Sequence, residues 1–196
     1  MSTQLDALRA YVATRPAAAP ASAAPAGAAG ATEGGATVFV VGSGKGGAGT
    51  STVAALLALA LATSRAPHEA ARRTLLVDTD EQFGPQRLLL GLGAAPEGTR
   101  GLGDLRAGGT ADALLVALGP TLTLLPGGGV DTAPFTPAER RVALARAAGA
   151  WSGHAHIVVD AGSRLDGVTA ALEAAHAVGA GADGGPRVRL VVVAGD

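Results

Sequence analysis

A glycine-rich run near the start of the chain carries the residues with the clearest chemistry. Gly44 and Gly49 are followed by Thr50 and Ser51. This spacing matches the phosphate-binding pattern G-x-x-x-x-G-K-[S/T], except that Thr50 takes the place of the lysine. Glycines let backbone N–H groups turn toward phosphate oxygens, and the final hydroxyl is a Mg²⁺ ligand. We therefore expect nucleotide phosphates to bind here, at Gly44, Lys45, Gly46, Gly47, Ala48, Gly49, Thr50, Ser51 and Thr52.

The only lysine of the chain lies inside this run. Lys45 follows the first glycine, and every other residue of the Lys/Arg class in the chain is an arginine. Because Thr50 carries no charge, the loop should hold the β- and γ-phosphates less tightly. The compact ammonium of Lys45 is a candidate replacement for that charge. The alternative interpretation is a glycine-rich turn that binds nothing.

The elements around the run follow an alternating order. Continuous aliphatic segments predict strands at 37–41, 74–78, 122–125, 157–160 and 188–193, and helical patterns fall at 52–64, 137–150 and 166–178. Strands that alternate with helices predict an α/β fold with a mainly parallel sheet flanked by helices. The loop at Gly44 then joins the first strand to the first helix, which is the context a phosphate-binding loop requires.

Acidic residues follow two of these strands. Asp78 and Asp80 come at the end of the second strand, and Asp160 ends the fourth. Carboxyl ends of parallel strands share one edge of the sheet, where α/β proteins bind ligands. Each aspartate taken singly is also consistent with a helix cap.

Composition limits the classes of function. The chain has no cysteine, which excludes thiolate metal sites and iron–sulfur chemistry, and its net charge of −1 favours no nucleic-acid partner. The arginine pairs Arg72-Arg73 and Arg140-Arg141 are interpreted as solvated helix faces. No apolar stretch is long enough to cross a bilayer and no signal-peptide pattern is present, so we expect no membrane anchor and a cytoplasmic location.

The chain divides into two parts by composition. Residues 37–196 should form the nucleotide-binding domain, whereas 1–36 combine a short helix over 4–14 with a tether rich in Ala, Pro and Gly. The chain stops at Asp196, just after the fifth predicted strand, so a truncated form of the fold is one expectation.

The motifs together resemble the MinD/ParA family of deviant Walker ATPases, a branch of the P-loop NTPases with a three-layer sandwich fold. The resemblance covers the loop, the segment 75–80 and the segment 157–162, and it departs from the family at Thr50. It implies ATP and Mg²⁺ as cofactors and a homodimer that forms on ATP binding. The family's roles would make Lys45 and Asp80 catalytic, with Lys45 reaching the partner's nucleotide. Mg²⁺ would be held by Ser51, Asp78 and Asp160, and Gly162 would sense the γ-phosphate.

Within that family, the N-terminal segment is similar to a short element of the flagellar-number ATPases (FlhG/FleN type), which docks on a GTPase. Gln4, Leu8 and Arg9 fit its spacing. The segment 80–92 is instead similar to pilus-assembly localisation ATPases. The expected function is a slowly ATP-hydrolysing switch that controls the placement or number of a cellular structure, with flagella as the first candidate. The alternatives are a hydrolysis-deficient pseudo-enzyme acting in pilus assembly or cell division, and an ATP-dependent ligase on the same fold.

Overall fold

A six-stranded sheet forms the centre of the protein. The computed structural model describes residues 36–64, 73–93, 100–128, 133–179 and 186–194. The strands are β1 (Thr37–Ser43), β2 (Thr74–Asp78), β3 (Val116–Ala117), β4 (Leu122–Leu125), β5 (His156–Gly162) and β6 (Arg187–Val193). Their order across the sheet is β3-β4-β2-β5-β1-β6. All pairs are parallel except β3 with β4, so the predicted α/β fold with a mainly parallel sheet is confirmed.

Four α-helices accompany the sheet within the described residues. They are α1 (Thr50–Thr63), α2 (Pro85–Leu89), α3 (Pro137–Ala147) and α4 (Leu165–Gly179). Short 3₁₀ turns occupy Leu102–Arg106, Ala111–Leu114 and Ala148–Trp151. The start of α3 shows why the sequence folds this way: the Thr136 hydroxyl accepts the Glu139 N–H, and the Glu139 carboxylate accepts the Thr136 N–H at 2.8 Å. This reciprocal cap and Pro137 at the first helical position fix where the helix begins.

Two layers of helix cover the two faces of the sheet. Alternate residues of the central strands point to opposite sides, so Val38, Val40 and Ile157 pack with the alanine-rich faces of α3 and α4. Val41 and Val158 point the other way and pack against α1. The small alanine side chains let the helices lie close to the branched aliphatics of the sheet.

The structure differs from the predicted elements in a few places. The two-residue strand β3 and the short helix α2 carry too few residues for a periodic pattern, and neither was predicted. The final strand β6 is therefore the sixth strand of the sheet rather than the fifth. Predicted helix 137–150 ends at Ala147 and continues as a 3₁₀ turn. The N-terminal helix with Gln4, Leu8 and Arg9, and the tether after it, lie outside the described residues, so that domain division stays a prediction.

Within the described ranges, every helix falls short of the length or the apolar character that crossing a bilayer requires.

Candidate functional site

Three loops meet at the carboxyl edge of the sheet. Strand β5 lies between β1 and β2, and Asp78 and Asp160 are register partners at the ends of β2 and β5. The loops that follow β1, β2 and β5 enclose a cleft of about 510 Å³. Two of the predicted loop residues, Gly44 and Ala48, do not line it. The predicted residues that do line it are Lys45, Gly46, Gly47, Gly49, Thr50, Ser51, Thr52, Asp78, Asp80, Asp160 and Gly162.

The glycine-rich loop brings the start of α1 to this cleft. Gly47 and Gly49 have φ angles of 78° and 85°, the left-handed region that glycine adopts without strain. Gly49 directly precedes α1, which has no side-chain cap and no acidic residue in its first turn. The first N–H groups of a helix have no partner within the helix, and they carry partial positive charge. The loop therefore presents backbone donors suited to phosphate oxygens.

Thr50, at the position of the missing lysine, takes part in the scaffold of the loop. Its side chain is 6% exposed, and its hydroxyl donates to the Ser43 hydroxyl at 2.8 Å. The Ser43 hydroxyl in turn donates to the Lys45 carbonyl at 2.9 Å. These two bonds tie the end of β1 to both ends of the loop. Lys45 is exposed and lines the cleft, so a cation remains in the loop although Thr50 supplies none.

Asp160 is bonded to the loop and to α2. Its carboxylate accepts from the Gln86 side-chain amide at 2.8 Å, from the Gly162 N–H at 3.2 Å and from the Ser51 hydroxyl. Burial raises the pKa of Asp160, and these hydrogen bonds only partly oppose the rise. The bond from Ser51 places the predicted Mg²⁺ hydroxyl ligand beside a predicted Mg²⁺ carboxylate.

Asp78 is the most deeply buried acid of the cleft. It is 0% exposed and accepts the backbone N–H groups of Asp80 and Gln86, both at 3.0 Å. Burial, and then the nearby charge of Asp160, raise the pKa of Asp78 well above its usual value. When both of these neighbouring buried carboxylates are charged they repel each other, and a cation bound between them would relieve that repulsion.

The residues present fit a hydrated Mg²⁺ ion. Ser51, Asp78 and Asp160 offer oxygen atoms, which Mg²⁺ prefers. The side-chain oxygen of Gln86 is buried and has no hydrogen-bond partner among the described residues, and a metal-bound water would supply one. Within the part of the chain that the structure describes, no three acidic or histidine side chains converge on one point. Magnesium sites at nucleotide phosphates in general use few protein ligands and complete their shell with water and phosphate.

Asp80 is positioned by its own turn. One of its carboxylate oxygens accepts the backbone N–H groups of Gln82 and Phe83, at 3.1 and 3.0 Å. These bonds hold the carboxylate at the lining of the cleft. Its expected role in activating water stays a prediction, as do the roles assigned to Lys45 and Gly162.

A buried ion-pair network in the wall of the cleft was not predicted, and the interpretation of Arg140 as a solvated residue was wrong. Arg140 is 2% exposed and donates to both Glu81 carboxylate oxygens, at 2.8 and 2.9 Å, and to the Thr79 carbonyl at 2.9 Å. Its Nε donates to Asp166 at 3.2 Å. Burial raises the pKa of Glu81, but hydrogen bonds from Arg140 and from the Phe135 N–H outweigh it, and the pKa lies below its usual value. Arg140 thus joins the loop after β2 to the start of α4.

Helical periodicity contained a signal for this burial. Ala143, Leu144 and Ala147 form the buried face of α3, and Arg140 precedes them by three, four and seven residues. It therefore lies on the same stripe, whereas Arg141 lies off it and its side chain is 57% exposed. Gln86, which contacts Ser51 and Asp160, had no such signal because α2 is too short for a periodic pattern.

Comparison with models of protein families and with curated proteins found no match. Among solved structures, the chain is similar to cobyrinic acid a,c-diamide synthase from Mycobacterium smegmatis with bound ADP and magnesium, at 27% identity and a TM-score of 0.58, over 81% of this chain and 60% of that one. It is also similar to a ParA family ATPase from Chlorobium tepidum TLS, at 22% identity and a TM-score of 0.50, over 80% and 73%. A third similar structure is the septum site-determining protein MinD with Mg-ADP from Pyrococcus horikoshii OT3. It has 22% identity and a TM-score of 0.53, over 80% of this chain and 57% of that one.

These similarities establish the fold. The six mostly parallel strands flanked by helices match the P-loop NTPase α/β fold of these neighbours. The structural neighbours are of MinD/ParA type, as the sequence motifs predicted, and neither the flagellar nor the pilus branch is distinguished among them. The chain spans about three fifths of the length of the synthase and of MinD.

Proposed function

We propose that this chain is a nucleotide switch of MinD/ParA type that binds ATP with Mg²⁺, hydrolyses it slowly and dimerises in the ATP-bound state. The observation that carries the proposal is the cleft itself. It joins the glycine loop and the start of α1 to Asp78, Asp80 and Asp160, and the Ser51 hydroxyl is bonded to Asp160. Mg²⁺ held near Ser51 and Asp160 would neutralise charge between the β- and γ-phosphates.

Features around the cleft support dimerisation on ATP. Lys45 is exposed beside the cleft, where an ammonium has access to a second subunit. Phe83 lines the cleft with 73% of its surface exposed, and Leu165, next to the lining residue Arg164, is 80% exposed. Large apolar side chains at the rim of a phosphate site favour contact with another protein surface.

The switch would control the placement or number of a cellular structure, with flagella as the first candidate. Support for that candidate comes from Gln4, Leu8 and Arg9, which fit a partner-docking element ahead of the nucleotide domain. Such an element would bind a GTPase or a polar protein and transmit the nucleotide state to it. MinD, one of the structural neighbours, is named for determination of the septum site.

A second candidate is a hydrolysis-deficient pseudo-enzyme that acts as a localisation factor in pilus assembly or cell division. The observation that favours it is the hydrogen bond from the Thr50 hydroxyl to the Ser43 hydroxyl. The Thr50 side chain holds the loop in place through this bond, and it brings no positive charge to the phosphates during phosphoryl transfer. Loss of one such charged contact lowers turnover by about 10²–10³-fold.

Calorimetry tests the shared basis of both candidates. Wild type, Lys45→Ala and the control Arg141→Gln would be titrated with ATP and ADP in the presence of Mg²⁺, and the ATP-bound forms would then be sized. We expect wild type and the control to bind and to dimerise with ATP, and Lys45→Ala to bind ATP about tenfold or more weakly because a charged hydrogen bond is lost. Absence of heat with both nucleotides for wild type would refute the proposal.

Turnover separates the two candidates. Measurable hydrolysis by wild type that Asp80→Ala abolishes supports the slow switch. Negligible hydrolysis by wild type, with a gain of about 10²–10³-fold in Thr50→Lys, supports the pseudo-enzyme.

The name of the mycobacterial neighbour suggests an ATP-dependent synthase as a third candidate function. A rise in ATP turnover on addition of a carboxylic acid and an amine donor would support it.

A further inference from the structure

Arg164 is a second cation at the rim of the cleft. It lines the cleft together with Gly162 and Ser163, and its side chain is 57% exposed. The loop that carries it lies against the glycine loop, because a Cβ added to Gly46 would stand 3.9 Å from the Ser163 hydroxyl oxygen. Arg164 is therefore adjacent to the segment whose backbone donors face the phosphate site.

The orientation of Arg164 is set by the buried network. Its Nε and Nη2 donate to the two carboxylate oxygens of Asp166, at 3.2 and 3.3 Å. Asp166 also accepts from Arg140, which Glu81 holds from the other side. The result is a row of alternating charges, Arg164–Asp166–Arg140–Glu81, that ends at the cleft. A guanidinium fixed along one edge by a carboxylate loses less entropy when its other edge binds a ligand.

The donors that remain differ between the two arginines of the row. A guanidinium has five N–H donors. Arg140 uses four in its bonds to Thr79, Glu81 and Asp166 and is buried. Arg164 uses two, and its Nη1 has no hydrogen-bond partner among the residues that the structure describes. Only Arg164 of this pair combines exposure with unused donors.

We propose that Arg164 donates hydrogen bonds to the terminal phosphate of bound ATP and supplies, from the same subunit, the charge that Thr50 lacks. This inference rests on the proposed nucleotide site. A planar guanidinium suits the spread negative charge of a phosphate, and charged hydrogen bonds of this kind are about twice as strong as neutral ones. ADP, which lacks the terminal phosphate, would gain little from Arg164.

The test compares two arginines in matched environments. Arg141 is also 57% exposed and also forms one ion pair, with Glu173 at 3.0 Å, but it does not line the cleft. Wild type, Arg164→Gln and Arg141→Gln would be titrated with Mg-ATP and Mg-ADP. We expect Arg164→Gln to weaken ATP binding about tenfold to a hundredfold and ADP binding less than about threefold. Arg141→Gln should change neither affinity.

The outcomes separate this inference from the function on which it rests. If wild type binds ATP and Arg164→Gln binds it equally well, the inference is wrong and the nucleotide site stands. Equal weakening of ATP and ADP would also refute the assignment to the terminal phosphate. Failure of wild type to bind either nucleotide would remove both proposals. Arg164→Lys, which keeps the charge, should recover part of the ATP affinity, and Trp151 fluorescence would verify that each variant is folded.

Discussion

Substitution of Arg140 by methionine tests the buried network most directly. The change keeps an unbranched apolar side chain in place of the aliphatic part of arginine but removes all four hydrogen bonds of the guanidinium. Glu81 would then remain buried, and its carboxylate would keep the bond from the Phe135 N–H but lose both bonds from Arg140. The Thr79 carbonyl would lose its bond from Arg140 as well.

The expected loss of stability is large because both partners are buried. The side chains of Arg140 and Glu81 are 2% and 5% exposed, so the unpaired carboxylate has little access to water. Breaking a buried pair by removing one partner costs about 3–5 kcal/mol. Domains unfold with a total of about 5–15 kcal/mol, so a loss of this size would remove between about a fifth and all of the stability.

Urea unfolding of the nucleotide-free protein measures this loss. Trp151, the only tryptophan and 2% exposed, provides a fluorescence signal that is compared with far-UV circular dichroism. The double variant Arg140→Met/Glu81→Gln should be at least about 1 kcal/mol more stable than Arg140→Met, because the amide carries no buried charge and still accepts the Phe135 N–H. The neighbouring Arg141→Gln should lose less than about 1 kcal/mol, since its ion pair is exposed.

Two results would refute this reasoning. One is a loss for Arg140→Met no larger than that for Arg141→Gln, which would mean that the ion pair contributes no more than a surface pair. The other is the absence of recovery in the double variant, which would mean that the loss comes from packing rather than from an unpaired charge.

Two further predictions concern residues that contact the loop after β2. Gly127→Ala should lower the free energy of unfolding by about 1–3 kcal/mol in urea, because the added Cβ would collide with the Asp80 carbonyl oxygen. Gly149→Ala is the control, because no atom of the described residues lies within 4 Å of its added Cβ, and equal effects of the two changes would contradict the prediction. Burial, and then the charge of Asp160, raise the pKa of Asp78. The folded state therefore binds the Asp78 proton more tightly than the unfolded state does. The nucleotide-free protein should lose stability as pH rises from about 4, the pKa of an unfolded aspartate, toward the raised pKa of the folded state. Thermal unfolding across that range should show a shallower slope for Asp78→Asn, and an unchanged slope would exclude Asp78 as the cause.

Much of the site followed from the sequence because its parts are local. The spacing of Gly44, Gly49 and Ser51 after a strand and before a helix predicted the loop, and strand order predicted that Asp78 and Asp160 would meet at one edge. These features depend on backbone conformation and on the direction of parallel strands. Local sequence encodes both, and the structure places Gly49, Ser51, Asp78 and Asp160 around one cleft.

The network around Arg140 could not be predicted from the sequence in the same way. The position of Arg140 on the buried face of α3 indicated burial, but its partners Glu81 and Asp166 lie 59 and 26 positions away along the chain. Gln86 likewise reaches Ser51 and Asp160 across 35 and 74 positions. No short pattern pairs residues at such separations.

The amino-acid sequence by itself determined the alternation of strands and helices, the glycine loop and the acidic ends of two strands, since each depends on neighbouring residues. The tertiary structure decided which charges are buried together and which remain exposed. Arg140 and Arg141 are adjacent in sequence, yet one is enclosed by two carboxylates and the other faces solvent. The reason is that burial depends on what packs against a helix face, and those partners come from distant parts of the chain.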